Sequence, residues 1–385
     1  MKSSQQPSIL FLSTMNGDPW GGSEEAWFRI AAWLPQQGYR VHCAFYGWPS
    51  GKTERMERLL NAGCSVTALS NHKTTTGFFK RLAHKRKAAA QLHRLLEKNK
   101  FDLTIISQGG YRDVTYAPFH SIRKKLGRYV LISHNYNESV PLKKNRRLRL
   151  HLWTSEARLN MADAERTLDA IEKLGGSSLP RKQVMANPLM IPLLDKPASW
   201  PGLQNGTFVF TVMAQLDVER KAQDLLIRTL AAPKWKARNW ELRMYGAGND
   251  RPLLEKLIQE SGLSEKVLLM GHTTDTAAAY LTTHLLLQIT HIDSMPLSVT
   301  EAMSMARPCV VSRVGDMPVW IADGQNGYLA DELSTNGMDR VLERAWTNQA
   351  NWEKMGKRAY DRFLEKYPQP YEAFYEKIFS ELIPQ

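Results

Sequence analysis

The sequence is poor in cysteine: Cys43, Cys64 and Cys309 are three among 385 residues, an odd number, far apart and without a C-x-x-C pair. That supports neither a disulfide framework nor a zinc site. Long apolar runs are also missing. No stretch nears the roughly 18 apolar residues of a membrane span. The N-terminus offers one lysine and four consecutive apolar residues, Ile9 to Leu12, before Ser13, Thr14 and Asn16. This reads as a first strand rather than a signal peptide, so a cytoplasmic protein that meets a membrane only from its surface is expected. There is no internal repeat, low-complexity tract, G-x-G-x-x-G, Walker loop, zinc-finger or RNP motif. No cluster of His, Cys and carboxylates has ligand spacing, so no metal is expected.

What is present is a globular balance, 43% hydrophobic and 23% charged, which excludes disordered and fibrous classes. The length suits two domains. Charge separates them: residues 1–190 hold 30 Lys and Arg against 14 Asp and Glu, while residues 191–385 hold 21 against 24. The whole excess of +13 belongs to the first half, which points to an anionic partner on that side.

Short apolar strands alternate with amphipathic helices twice over. Strands are expected at Ser8–Ser13, Tyr39–Tyr46, Val66–Leu69, Leu103–Ser107 and Tyr129–Ser133, with a first helix from about Ser23 to Gln37 stopped by Gly38. Leu174 to Pro201, with Gly175-Gly176 and five prolines, reads as an interdomain linker. A second series restarts at residues 207–213. It continues near Glu241–Tyr245, Val267–Met270, Leu285–Ile289 and Pro308–Ser312. Strands separated by helices mean parallel sheets covered on both faces.

Two segments carry candidate chemistry. Residues 16–25, Asn-Gly-Asp-Pro-Trp-Gly-Gly-Ser-Glu-Glu, form a glycine loop between the first strand and first helix. Gly21 and Gly22 would let backbone N–H groups approach a phosphate at the helix N-terminus. A plain strand–helix turn with Ser23 as N-cap fits the same residues. In the second half Asp293 stands in a loop and Glu301 in the first turns of a helix starting near Leu297. Carboxylates there can accept hydroxyl hydrogen bonds, while free backbone N–H groups between Met295 and Val299, around Pro296, Leu297 and Ser298, take a phosphate.

These segments, in this order, resemble the retaining, nucleotide-sugar-dependent glycosyltransferases of family 4 (glycosyl transferases group 1), whose fold is GT-B. "DSMPLSVTEAMSMARPCVVS" resembles that family's E-x7-E segment and "GDMPVWIADGQNGYLA" its continuation. Residues 213–226 resemble its Arg…Lys phosphate segment, with Lys221 at the lysine. "LRMYGAG", containing Gly246, and "LMGH", containing Gly271, are similar to its next strand ends. Gly21-Gly22, "SHN" at 133–135 and "VMANP" at 184–188 resemble its phosphate loop, active-site histidine and hinge. Two positions depart from the pattern: Asp293 replaces the usual Glu, and Gln215 the usual Arg, with Arg220 close by in sequence to supply the cation.

The resemblance implies two Rossmann-like doubly wound domains facing across a cleft. Residues 1–190 would take the acceptor, with a last helix in 368–385 crossing back and Tyr371, Phe374, Tyr375 and Ile378 on one face. Residues 191–367 would bind the donor. It implies transfer of a sugar from a UDP- or GDP-linked nucleotide sugar to a hydroxyl of a saccharide or lipid-linked acceptor, in cell-surface polysaccharide or lipopolysaccharide biosynthesis. Neither metal nor other cofactor is implied. His134, Lys221, Asp293 and Glu301 would be the catalytic set. Gly21, Gly22, Gln215, Arg220, Lys221, Gly246, Gly271, Glu301 and residues 295–298 would hold the donor.

Basic clusters at residues 78–96, a helix with Phe78, Leu82, Ala89, Leu92 and Leu96 as its apolar stripe, and at Lys143–Arg149 suit an anionic membrane surface or phosphate-bearing acceptor. A solvated basic face is the alternative. Two other functions fit parts of the sequence: a non-catalytic nucleotide-sugar-binding relative, in view of Gln215, and a basic nucleic-acid-binding protein. The absence of nucleic-acid motifs argues against the second.

Overall fold

A computed structural model describes the chain except residues 1–5, 17–19, 21, 49–52, 74, 135–141, 204, 296 and 385. Two compact units result, Met1–Pro188 with Pro368–Gln385, and Leu189–Tyr367.

Among the described residues the first unit builds a seven-stranded sheet in the order β3-β2-β1-β4-β5-β6-β7. The strands are β1 (Ser8–Ser13), β2 (Arg40–Tyr46), β3 (Ser65–Leu69), β4 (Leu103–Gln108), β5 (Tyr129–Ser133), β6 (Leu159–Ala162) and β7 (Lys182–Val184). All pairs are parallel. Every residue of β1, β4 and β5 is buried, as strands covered on both faces require. The helices are α1 (Gly22–Trp33), α2 (Thr53–Asn61), α3 (Phe78–Lys98), α4 (Phe119–Ile122), α5 (Lys144–Glu156) and α6 (Glu165–Gly175). The first helix has its expected face: Ala26, Trp27, Ile30, Ala31 and Leu34 are buried. Its last turn tightens to a 3-10 helix at Leu34–Gln37, where Pro35 has no N–H to donate, and Gly38 ends it at φ +86°.

The second unit repeats the scheme with β8 (Phe208–Met213), β9 (Trp240–Tyr245), β10 (Val267–Gly271), β11 (Leu285–Gln288), β12 (Cys309–Ser312) and β13 (Gly327–Ala330), ordered β10-β9-β8-β11-β12-β13 and all parallel. Its helices are α7 (Val218–Lys221), α8 (Gln223–Leu230), α9 (Pro233–Lys236), α10 (Arg251–Glu260), α11 (Thr276–Leu281), α12 (Leu297–Ser304), α13 (Met317–Trp320), α14 (Thr335–Thr347) and α15 (Trp352–Lys366). In each sheet the strand order reverses beside the first strand, between β1 and β4 and between β8 and β11. A doubly wound sheet opens a crevice there, at the carboxyl ends of its strands.

The last helix, α16 (Tyr371–Ser380), belongs to the first unit: Tyr371 Oη donates to Ala186 O at 3.1 Å and Tyr375 Oη accepts from Ala186 N at 2.8 Å. Its buried face is Tyr371, Tyr375 and Phe379. The expected Phe374 is instead exposed, because a spacing of four rather than three follows this helix's contact line. The expected stripe of α3 is corrected in the same sense. Ala88, Leu92 and Leu95 are buried, whereas Phe78 and Leu82 are exposed. Three strands escaped the sequence pattern. β6 and β13 have four residues each, and β7 is a half-exposed edge strand of three inside the stretch read as linker.

The core of the second unit is rich in tryptophan. Trp240 stacks on Phe210 with ring centroids 5.9 Å apart and 7° between planes, and its Nε1 donates to Trp235 O at 2.7 Å. Trp240→Ala should therefore cost about 3–5 kcal/mol. The check is urea unfolding read through hydrogen exchange of residues 208–245, and a loss below about 1 kcal/mol would contradict this packing account.

Candidate functional site

The carboxyl edge of the second sheet is assembled by backbone before side chains enter. After β8 the chain turns through residues 214–216, held by Leu216 N donating to Ala247 O at 3.1 Å. The turn passes so close to the next strand end that a Cβ on Gly246 would lie 1.9 Å from Ala214 O, and one on Gly248 2.0 Å from Leu216 O. Side chains are thus excluded there. Asp217 caps α7, accepting from Arg220 N at 3.1 Å. Arg220 O in turn accepts from His291 N at 2.8 Å and Thr290 Oγ1 at 2.7 Å. These two bonds tie α7 to the loop that follows β11.

Along that tie the cations and acids meet. Lys221 Nζ donates to Asp293 Oδ2 at 2.6 Å, with both side chains mostly buried. Arg220 Nη2 donates to Gln215 Oε1 at 3.0 Å while its Nε holds Asp217 Oδ2 at 2.6 Å. The uncharged Gln215 therefore has a guanidinium against it, and Gln223 Nε2 donates to its carbonyl at 2.7 Å. The Asp293 loop is fixed from below by Gly315, at φ +57°, where a Cβ would stand 2.3 Å from Ser294 O and 2.5 Å from Asp293 O. Asp316 N closes the contact by donating to Ser294 O at 2.8 Å.

Helix α12 follows at once, and its first N–H groups have no partner inside the helix. Met295 and Ser298 are buried and Leu297 half-buried beside them; Pro296 lies outside the described residues. Glu301 is 4% exposed on the second turn. Its Oε1 accepts from Met190 N and its Oε2 from Tyr280 Oη, both at 3.1 Å. Burial pushes the Glu301 carboxyl above its ordinary value, and the two donors pull it partly back. Lys221, Asp293, Glu301, Gln215, Arg220, Gly246, Met295, Leu297 and Ser298 thus lie in the segments that follow β8, β9 and β11 at one sheet edge. Gly271, at φ +78°, ends the neighbouring β10 and its carbonyl accepts from Gly246 N at 2.8 Å.

Sequence reasoning passed over Tyr280 and Gly315. Tyr280 stands in an alanine-rich helix with no motif around it. Gly315 is marked only by its place in Gly-Asp-Met-Pro.

In the first unit His134 follows β5 and is 3% exposed. Its Nδ1 lies 3.7 Å from Asp163 Oδ2 and its Nε2 3.4 Å from Ser107 Oγ. Gly21 and Asn135 lie outside the described residues, and Gly22 opens α1. Ser23 is not an N-cap. It sits inside α1 and its Oγ donates to Glu24 Oε2 at 2.7 Å, because Glu24 turns inward to accept from Ser13 Oγ at 2.5 Å as well. Near this edge Asp113 accepts from Thr14 Oγ1 at 2.8 Å and Gly110 N at 3.1 Å, and burial raises its carboxyl. Among the described residues no group of three His, Cys, Asp or Glu side chains could hold a metal ion. No described helix is long and apolar enough to cross a membrane.

Residues 207–348 match the family described as Glycosyl transferases group 1. A poly(ribitol-phosphate) alpha-N-acetylglucosaminyltransferase of Staphylococcus aureus (strain COL) is 29% identical over 152 residues, 39% of this chain and 31% of that enzyme. The match thus spans about a third of that relative's length. The sucrose-phosphate synthase of Thermosynechococcus elongatus is similar with a TM-score of 0.76, over 98% of this chain and 99% of that one, at 15% identity. The Anabaena protein HepE in complex with UDP-glucose gives 0.71 over 97% and 99%, at 17% identity. At such identities the likeness is one of fold, and that fold is GT-B.

The buried Glu301 carboxyl makes a pH prediction. Its folded pKa is raised above the ordinary 4.5, so between the two values the folded state holds more protons than the unfolded chain. Stability must then fall as pH rises through that window. Glu301→Gln cannot titrate, so its stability relative to the parent should climb as pH rises from about 4.5. Chemical denaturation at several pH values checks this, and a difference that stays flat with pH would contradict the burial account.

Proposed function

We propose, from the match of residues 207–348 to the glycosyl transferases group 1 family, that the protein is a glycosyltransferase. It moves a sugar from a nucleotide diphosphate sugar, UDP- or GDP-linked, to a hydroxyl of a saccharide or lipid-linked acceptor in cell-surface glycan assembly. The observation that carries this reading is the Lys221–Asp293 pair at 2.6 Å beside the start of α12, with Glu301 buried one turn further on. The UDP-glucose complex of a protein with the same fold favours a UDP-linked donor.

In this reading the bond between sugar C1 and the diphosphate oxygen breaks and the acceptor oxygen bonds to C1 on the same face, with retention. The acceptor proton passes to a leaving phosphate oxygen. Negative charge grows on the diphosphate, and fixed donors aimed there lower the barrier. Lys221 Nζ has three N–H donors and Asp293 occupies one, so the ammonium is held in place with two left for phosphate oxygens. The amides at the start of α12 add a dipole of the same sign. Arg220, beside Gln215, supplies the second cation. Glu301 takes the ribose diol and Asp293 the donor sugar. The first unit takes the acceptor, with His134 as its polar group; the backbone N–H groups of its Gly21-Gly22 loop serve the donor phosphate, and its basic surface faces an anionic membrane. No metal takes part.

Lys221→Ala should lower kcat by about 10²-fold, some ~3 kcal/mol, the cost of losing one preorganised donor. Transfer assays with a panel of UDP- and GDP-sugars, preceded by a thermal-shift screen for the donor that raises the melting temperature, measure it. Donor binding without turnover on any saccharide or lipid-linked acceptor would overturn the catalytic reading in favour of a binding relative.

A further inference from the structure

The first unit carries a basic, partly aromatic surface at the start of α3. Helix α3 has 21 residues, about 31 Å of helix, whereas the strands on either side of it in sequence have five and six, about 17–20 Å. Its end is fixed at the amino edge of the sheet, where Lys100 O accepts from Ser8 Oγ at 3.2 Å. The first turns therefore overhang the carboxyl edge. Burial follows this geometry: Ala88, Leu92 and Leu95 are buried, while Phe78 is 75% and Phe79 83% exposed. The two rings meet edge to face at 5.6 Å, and Leu82 is exposed one turn on.

The charges on this overhang have the wrong sign for a helix start. The positive end of the macrodipole favours acids, yet Lys80, Arg81, Lys85, Arg86 and Lys87 cluster there, all exposed, with no acid in the first turn. Among the described residues none of the five forms an ion pair. Helix α5 repeats the pattern after β5. It starts with exposed Lys143, Lys144 and Arg147, while Arg146 lies over the Tyr116 ring at 4.0 Å, again without an acid in the first turn or a side-chain cap, and Leu148 is exposed beside them. Both helices follow a strand of the same parallel sheet, so both reversed starts lie along its carboxyl edge. An anionic plane laid against that edge would satisfy the dipoles and the cations together.

We propose that the overhanging start of α3 is a bilayer-docking wedge. Phe78 and Phe79 enter the boundary between headgroups and acyl chains of an anionic phospholipid membrane, their flanking cations pair with lipid phosphates, and the start of α5 makes a second electrostatic contact. This rests on the reading that the first unit meets a membrane, and it assigns the element that does so. A soluble polyanion would engage the cations but leave two phenyl rings in water. A bilayer accounts for both.

The test is flotation of the full chain with vesicles of phosphatidylcholine alone or with about one phosphatidylglycerol in three, without donor or acceptor. Wild type should partition only onto the anionic vesicles. Phe78→Ser with Phe79→Ser should lower partitioning by about ten-fold while circular dichroism and transfer to a water-soluble acceptor stay unchanged. Lys80→Glu with Arg81→Glu and Arg86→Glu should abolish it and leave no salt dependence. Equal binding by the phenylalanine variant would overturn the wedge, as would binding of long-chain polyphosphate that displaces the protein from vesicles equally in both backgrounds. Loss of transfer with vesicle binding intact would count against the enzyme reading and leave the wedge standing.

Discussion

The second unit depends on a cation held by an acid at the mouth of its sheet. Lys221 ends a one-turn helix, Asp293 stands in the loop of another strand, and the two meet at 2.6 Å. An ammonium in water would roam on its four-carbon stem. Here the pair is partly buried and the backbone beneath it is clamped by Thr290 and His291 bonding to Arg220 O. The wall behind the acid is closed by a glycine whose Cβ would collide with it. Charge, reach and orientation are set before any ligand arrives, which is the condition under which fixed charge is worth most to a reaction.

Glu301 shows the complementary problem. A carboxylate nearly removed from water is costly unless its oxygens are occupied, and Met190 N and Tyr280 Oη each occupy one. Each oxygen keeps a further lone pair, so the group can still accept from a diol. Tyr280 is thus a positioning residue for the proposed ribose contact. It is itself anchored by Arg307, whose Nε donates to Tyr280 O at 2.8 Å.

Most of the fold was legible because buried parallel strands need continuous apolar runs. β1 and β5 begin and end where the apolar pattern does, and β8 to β12 lie within two residues of it. What escaped was short or half-exposed. β7, Lys-Gln-Val, has no apolar run to see, Asn160 interrupts that of β6, and β13 opens on Gly327. At the site, Asp293 and Glu301 could be read from their place beside a helix start, whereas Lys221 and Arg220 were marked only by the resemblance of residues 213–226 to a family segment. Tyr280 and Gly315 could not, because one acts through a hydrogen bond from a distant helix and the other by lacking a side chain where two loops touch. The overhang of α3 was likewise invisible. Its apolar residues look like one stripe until strand length shows which of them lie beyond the sheet.

In the proposed function a nucleoside diphosphate rests on the edge formed by the β8 and β11 loops. Hydrogen exchange of the full chain with and without UDP or GDP tests it most directly, since a ligand slows exchange where it binds and stabilises. Slowed exchange is expected in residues 214–221 and 290–301. Protection by neither nucleotide in those segments, or protection confined to the first unit, would contradict it.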